Sequence, residues 1–395
     1  MSRLLWPPPL TVEMGRRDLR PTAGIVLSEY LVAPNRRAPA LLLPLGSPRA
    51  AARAVLRPSA GTRGRQQAGR RAAALVFRAG LGPHVMRDRL YICTAPGSPA
   101  DPSSIEMYLR GVFGPDVLIA LAVGPIRANR KPVLQVLTPA GHLVAFVKVG
   151  WNALTRSLVS AEATTLAGLV PTRLGPVQPP HVLHVGTWRD LSLLALAPLI
   201  GTARRGKPGE LPMDAMRGLA THAGTEVRAL KDSRFWTKLR EQIAALPDPR
   251  TRDALLAIHL TANGRWGKAP VTFGAWHGDW TKWNMAWDGR CVLLWDWERY
   301  ETDVPVGLDA YHYALQSRLH GDGTVEPAAA RVRRDAATLA AGMGMPREQG
   351  QLLLGCYLLS LLLRYENDSQ DAMGARLRPV AESLRAVVAG QVSAG

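Results

Sequence analysis

The segment His277-Gly278-Asp279-Trp280-Thr281-Lys282-Trp283-Asn284 sets a carboxylate and an amide five positions apart, with four residues between them. A second carboxylate, Asp296, follows in Trp295-Asp296-Trp297-Glu298. Moving a phosphoryl group needs this combination: one group to meet an acceptor hydroxyl, and oxygen ligands for the Mg²⁺ that accompanies a nucleotide. Mg²⁺ usually takes one or two protein carboxylates and leaves its other positions to phosphate and water. A lone Asp signifies little, but residue types and spacing agree here together.

Local elements account for the convergence. Val271–Trp276 reads as a strand entering the loop. Asn284–Trp287 and Cys291–Trp295 are apolar runs separated by Asp288-Gly289, a strong hairpin turn signal. Folding the two runs together brings Asn284 and Asp296 to the same open end, with Asp279 just before it on the loop.

These residues resemble the aminoglycoside phosphotransferase and choline kinase-like families, the small-molecule branch of the protein-kinase-like fold. The resemblance implies an α+β, two-lobed fold: a small antiparallel-sheet N-lobe and a mainly helical C-lobe. It implies ATP and Mg²⁺ as donor and cofactor, and a small-molecule hydroxyl as acceptor. Carried over, Asp279 is the catalytic base, Asn284 and Asp296 bind the metal, and His277 supports the loop. Glu298 stands where protein kinases have the Gly of D-F-G, which argues against a protein kinase and places Glu298 near substrate. Lys282 departs from the Pro or small residue of many relatives; it contacts phosphate or substrate, or is a solvated loop lysine. Asp309, in Gly307-Leu308-Asp309-Ala310, matches the family Asp that opens a helix and hydrogen-bonds the catalytic loop.

An N-lobe of this kind supplies a lysine and a helical glutamate. Lys148 is the one basic residue in the apolar run Leu143–Val149. The next segment, 157–169, reads as a helix with Leu158, Glu162, Leu166 and Leu169 on one stripe. An unpaired carboxylate on an apolar face is costly, and Glu162 is the only acid between Lys148 and Asp190. A Lys148–Glu162 pair explains both oddities and resembles the kinase pair that holds nucleotide phosphates. The alternative is a snorkelling lysine and a partly exposed glutamate.

Between strands expected at 117–124 and 132–137 lies Gly124–Lys131, with one Gly and no G-x-G-x-x-G. Arg127, Arg130 and Lys131 there are phosphate-neutralising or surface charges. Further strands are expected at 180–187 and 191–197, with a hinge near Leu196–Leu199. Periodicity predicts helices at 212–229, 233–246, 250–263, 327–343, 347–366 and 372–389. Glu366, Asp368 and Asp371 cluster at one helix end, where they receive a cationic acceptor or lie solvated.

The 395 residues divide by expectation into a basic extension or cap (1–100), an N-lobe (101–200) and a C-lobe (201–395). The first 100 residues hold 16 Arg, no Lys and four acids, so +12 of the chain's +18. Arg63, Arg65, Arg70 and Arg71 are the densest group, on a helix running to about Phe77. That suits a polyanion or an anionic membrane surface, although 42 Arg against 7 Lys also fits compositional drift. Apolar runs at Val26–Val32, Ala40–Leu45 and Arg89–Cys93 read as strands or buried pieces rather than tail. Three scattered cysteines exclude a disulfide scaffold or zinc site. No stretch suits a signal peptide or membrane span, so a cytoplasmic location is expected. The functional expectation is an active small-molecule kinase. The alternative is a kinase-like nucleotide-binding or regulatory module without turnover, holding a polyanion or protein through its basic segment.

Overall fold

Nine strands from the first half of the chain join into one sheet, every neighbouring pair antiparallel. Their order across it is Leu10–Arg16, Asp88–Thr94, Val26–Ala33, Leu41–Pro44, Leu118–Ala122, Val133–Leu137, Leu143–Gly150, Leu191–Leu196 and Val182–Trp188. The structure, a computed structural model, describes residues 2–18, 20–21, 24–56, 64–94, 103–123, 131–169, 174–199, 211–289, 291–322, 324–368 and 378–393. Gly124–Arg130, Arg63 and Asp371 lie outside them, as does the side chain of Arg65.

Strand periodicity gives the sheet two apolar faces. Tyr30 and Val32 enter one buried cluster, with Ile92, Leu134, Val147 and Val149, while Leu31 enters the other, with Leu43, Ala54 and Phe77. Full burial of such side chains stabilises by roughly 1.5–3 kcal/mol each. The segment before residue 100 supplies four of the nine strands, and Leu41 and Leu42 pair with Ala122 and Leu121. Buried Glu106 fastens it further: Trp6 Nε1 donates to both carboxylate oxygens (2.9 and 2.8 Å), and the Tyr30 hydroxyl donates at 2.5 Å.

Chain contacts divide the protein into two compact units. The first holds this sheet. The second includes the described residues from Leu211 onward and is mainly helical, with helices at Met213–Thr221, Arg234–Ala244, Pro249–Trp266, Leu308–Asp322, Val325–Gly342, Gly350–Asp368 and Arg378–Ser393. Two small three-stranded sheets complete it. In one, Pro270–Trp276 lies between Glu226–Ala229 and Glu301–Pro305. In the other, the hairpin Met285–Asp288/Cys291–Leu294 pairs with Val177–Gln178. The α+β architecture is the expected one, while the described residues of the first 100, expected as a separate extension or cap, belong to the same unit as the rest of the sheet.

The helix predicted over 212–229 is shorter. It ends at Thr221, Gly224 takes φ 91°, and Glu226–Ala229 is a strand. A glycine in the left-handed region stops a helix without a Cβ penalty. Gly350–Asp368 is apolar on nearly all sides because it is buried. Among the described residues, no helix is long and apolar enough to cross a membrane.

Candidate active site

The strand Pro270–Trp276 delivers the chain into the loop at His277. His277 is fully buried, between the edges of Trp280 and Trp297, whose rings are themselves fully buried. Gly278 has φ 77°, and a Cβ there would meet the Arg299 carbonyl oxygen at 2.3 Å, so only glycine fits. Asp309, near the start of the helix Leu308–Asp322, accepts from the His277 N–H (2.7 Å) and the Gly278 N–H (3.0 Å). Burial pushes the Asp309 carboxyl up to about 7; the Asp279 charge adds to this, and the two N–H groups oppose it.

Asp279 is held on both oxygens. His312 Nε2 lies 3.1 Å from Oδ1, and Asn284 Nδ2 donates to Oδ2 at 2.9 Å. Asn284 Nδ2 also donates to the Asp279 carbonyl at 3.0 Å. The side chain remains 35% exposed, so its second lone pairs can be reached. Burial raises its pKa, but the hydrogen bond from His312 and the positive charge of Arg364 outweigh burial. The net pKa lies below the usual carboxylate value.

The donor set fits Mg²⁺. A carboxylate only accepts, so Asn284 must present its NH₂ to Asp279, which leaves its Oδ1 as a hard oxygen donor. Trp295 N–H donates to Asn284 O at 3.0 Å, so the hairpin sets Asp296 one residue beyond this cross-strand contact. Asp296 has φ 68°, ψ 56°. For a non-glycine residue that left-handed conformation costs on the order of 1–2 kcal/mol, and such strain concentrates at functional sites. No group of three His, Cys, Asp or Glu suited to a metal occurs among the described residues. An amide oxygen and a carboxylate completed by phosphate is the arrangement that suits Mg²⁺ better than an all-protein cage.

In the sheet unit, Lys148 Nζ meets Glu162 Oε1 at 2.7 Å and Oε2 at 2.6 Å. Both side chains are buried, at 9% and 0% exposure. Strand alternation turns Val147 and Val149 into the core and Lys148 to the opposite face, toward the helix Ala153–Leu169.

No family model matches this chain, and no curated protein does. Solved structures do. The aminoglycoside phosphotransferase APH(4)-Ia matches at 12% identity and TM-score 0.48, over 72% of this chain and 98% of that one. A choline/ethanolamine kinase family protein from Mesorhizobium loti matches at 15% and 0.43, over 73% and 95%. The choline kinase LicA from Streptococcus pneumoniae matches at 13% and 0.46, over 71% and 97%.

Lys282 is exposed on the loop. Glu298 is half-buried in the turn after Asp296. Glu366 and Asp368 do not meet the loop as an acidic cluster; Glu366 pairs with Arg385 at 2.5 Å and Asp368 with Arg299 at 2.9 Å.

Sequence reasoning missed three residues. His312 lies one helical turn after Asp309, and its Nδ1 lies 3.2 Å from the Tyr357 hydroxyl. Burial lowers the His312 pKa, against the pull of Asp279. The neutral ring then donates a hydrogen bond from Nε2–H to Asp279 Oδ1 and accepts one from the Tyr357 O–H at Nδ1. Arg364 Nη1 donates to the Gly278 carbonyl at 2.8 Å. The i,i+3 spacing of Asp309 and His312 was the one available signal; Tyr357 and Arg364 sit in a helix that reads as core.

Proposed function

We propose that this chain is a phosphotransferase that moves the γ-phosphoryl group of ATP onto a hydroxyl of a small molecule. The observation that carries the proposal is the Asp279 carboxylate, fixed by Asn284 and His312; the Asn284 amide oxygen and Asp296 would hold the metal. Bound Mg²⁺ would neutralise charge on the phosphates.

The chain's own groups do the rest. Asp279 accepts a hydrogen bond from the acceptor hydroxyl and aims its oxygen at the γ-phosphorus. A new O–P bond forms, the bond to the bridging oxygen breaks, and ADP leaves. With its pKa held low, Asp279 is far too weak a base to ionise an alcohol beforehand. It therefore orients the hydroxyl and takes the proton as the O–P bond forms, in keeping with the largely positional catalysis of phosphoryl transfer. Asn284 and His312 stop the carboxylate from rotating. Lys148, held by Glu162, supplies a cation for nucleotide phosphate oxygens. ATP as donor points to a cytoplasmic setting.

The test is ADP release in the presence of Mg²⁺ across a panel of hydroxyl compounds, with Asp279→Asn as the blank. A module without turnover would bind ATP yet give the blank's rate with every compound.

A further inference from the structure

A cavity of about 300 Å³ lies in the helical unit beside the loop. Trp276, the residue before His277, forms part of its wall together with Arg364. The Arg364 guanidinium carbon lies 5.6 Å from the centre of the Trp276 ring. The volume is at the low end of the roughly 300–1,000 Å³ common for ligand pockets, room for an acyclic or single-ring skeleton.

The charges on the wall are mostly answered. Lys238 pairs with Glu301 at 2.5 Å, and Arg299 pairs with Asp368. Glu298 is itself engaged. Arg364 differs. Of its five N–H groups, one goes to the Gly278 carbonyl, and no carboxylate among the described residues stands within ion-pair distance. Nε and Nη2 have no hydrogen-bond partner among the described residues and are not among the fully buried atoms, so they keep some exposure. Asp279 lies beyond ion-pair range and already has His312 and Asn284. Of the wall's acids, Glu301 is paired with Lys238 and Glu298 is engaged, while a planar guanidinium, the group that matches carboxylate and phosphate with paired N–H donors, keeps donors available.

We infer that this cavity is the acceptor subsite and takes a small hydroxyl compound bearing a carboxylate or phosphate, received by Arg364, in preference to a cationic amino sugar or amino alcohol. The inference rests on the phosphotransferase reading and names its substrate class. The transfer balances as before: the acceptor oxygen bonds to the γ-phosphorus, ADP leaves, and the hydroxyl proton passes to Asp279 and then to water.

The experiment is an ADP-release assay on the full chain with Mg·ATP and matched acceptors. Glycerate and glucuronate form the carboxylate arm, and glycerol 3-phosphate and glucose 6-phosphate the phosphate arm. Glycerol and glucose are the neutral references; ethanolamine, choline and kanamycin are the cations. The expected result is kcat/KM for one anionic arm at least about tenfold above its neutral reference, the scale of one charge-assisted hydrogen bond. Arg364→Gln should collapse that ratio, mainly through KM. Damage to the loop slows both members of a pair alike, so the ratio isolates the charge. Gln242→Glu, on the cavity wall and clear of the loop, should lower the same ratio if Arg364→Gln does not fold. A preference for cationic or neutral acceptors, or an unchanged ratio in a folded variant, overturns the inference and leaves phosphotransfer standing. No transfer to any acceptor overturns both.

Discussion

His312 Nε2 and Asp279 Oδ1 stand 3.1 Å apart, with the histidine buried at 2% exposure and the carboxylate reachable at 35%. One carboxylate oxygen is thereby tied to the helix Leu308–Asp322, the other accepts from Asn284, and the group keeps an exposed face. The same helix carries Asp309, which grips the loop backbone two residues earlier. Loop position and carboxylate rotation are thus set by one rigid element.

Replacing His312 should slow the chemistry more than binding. A hydrogen bond to a charged group contributes about 1.5–3 kcal/mol, so His312→Phe should lower kcat roughly 10- to 100-fold with little change in KM for ATP. The pH profile carries a second signature. Burial lowers the His312 pKa from 6.5, so the ring is neutral at pH 7 and takes up a proton only in more acid solution. Protonation sets a positive charge beside Asp279 and weakens it as a proton acceptor. Wild type should therefore lose activity on an acid limb below pH 6.5, and His312→Phe should lack that limb. An identical limb in both proteins would assign it to another group.

Lys148 and Glu162 form a buried pair, so removing one partner leaves a buried charge. Glu162→Ala should destabilise the fold by about 3–5 kcal/mol, whereas replacing both by Met and Leu should be close to neutral. Chemical denaturation of the three proteins checks this. The double variant should stay folded and bind ATP more weakly, with adenosine binding unchanged. Equal losses from the single and double changes would show that the two residues are not energetically coupled.

Asp309 yields a prediction about stability and pH. Its folded pKa of about 7 exceeds the usual 3.8, so the folded state holds a proton that the unfolded state releases. That contribution is fully present below about pH 4 and is lost as pH rises toward 7. Wild-type stability relative to Asp309→Asn should therefore decline with rising pH over this window. A rising difference would mean that the two backbone N–H groups outweigh burial.

The basic N-terminal segment should not be removable. Four of its strands complete the sheet, and Tyr30 and Trp6 are bound to buried Glu106. A 101–395 fragment would bare the edge of Leu118–Ala122 and the apolar residues facing Leu42 and Val32. It should be insoluble or melt well below the full chain. A soluble fragment of unchanged stability would show that the remaining strands form a sufficient sheet alone.

The loop and its partners were legible where charge interrupted an apolar pattern. Glu162 on a leucine stripe and Lys148 in an apolar strand each demanded a partner, and the loop brought Asp279 and Asn284 together by spacing alone. His312, Tyr357 and Arg364 were not legible. They make their contacts across 33 to 86 residues of sequence, and periodicity reports a buried face without saying which residue of another helix it meets. The runs Val26–Val32 and Ala40–Leu45 were expected as strands or buried pieces and form the strands Val26–Ala33 and Leu41–Pro44, but their place in the sheet was not foreseen. The pairing of Leu41 with Ala122 is a long-range contact that strand alternation cannot specify. The helix expected through 229 failed at Gly224, where backbone freedom overrode a mildly apolar pattern.

The most direct test of the central claim is transfer of label from γ-labelled ATP to an acceptor hydroxyl by wild type and Asp279→Asn, with ATP binding to both measured by calorimetry. The account predicts labelled acceptor from wild type, a rate lower by about 10²–10⁴-fold in the variant, and comparable ATP affinity. Transfer by Asp279→Asn within threefold of wild type, or ATP binding by wild type with no label reaching any hydroxyl compound, would contradict it.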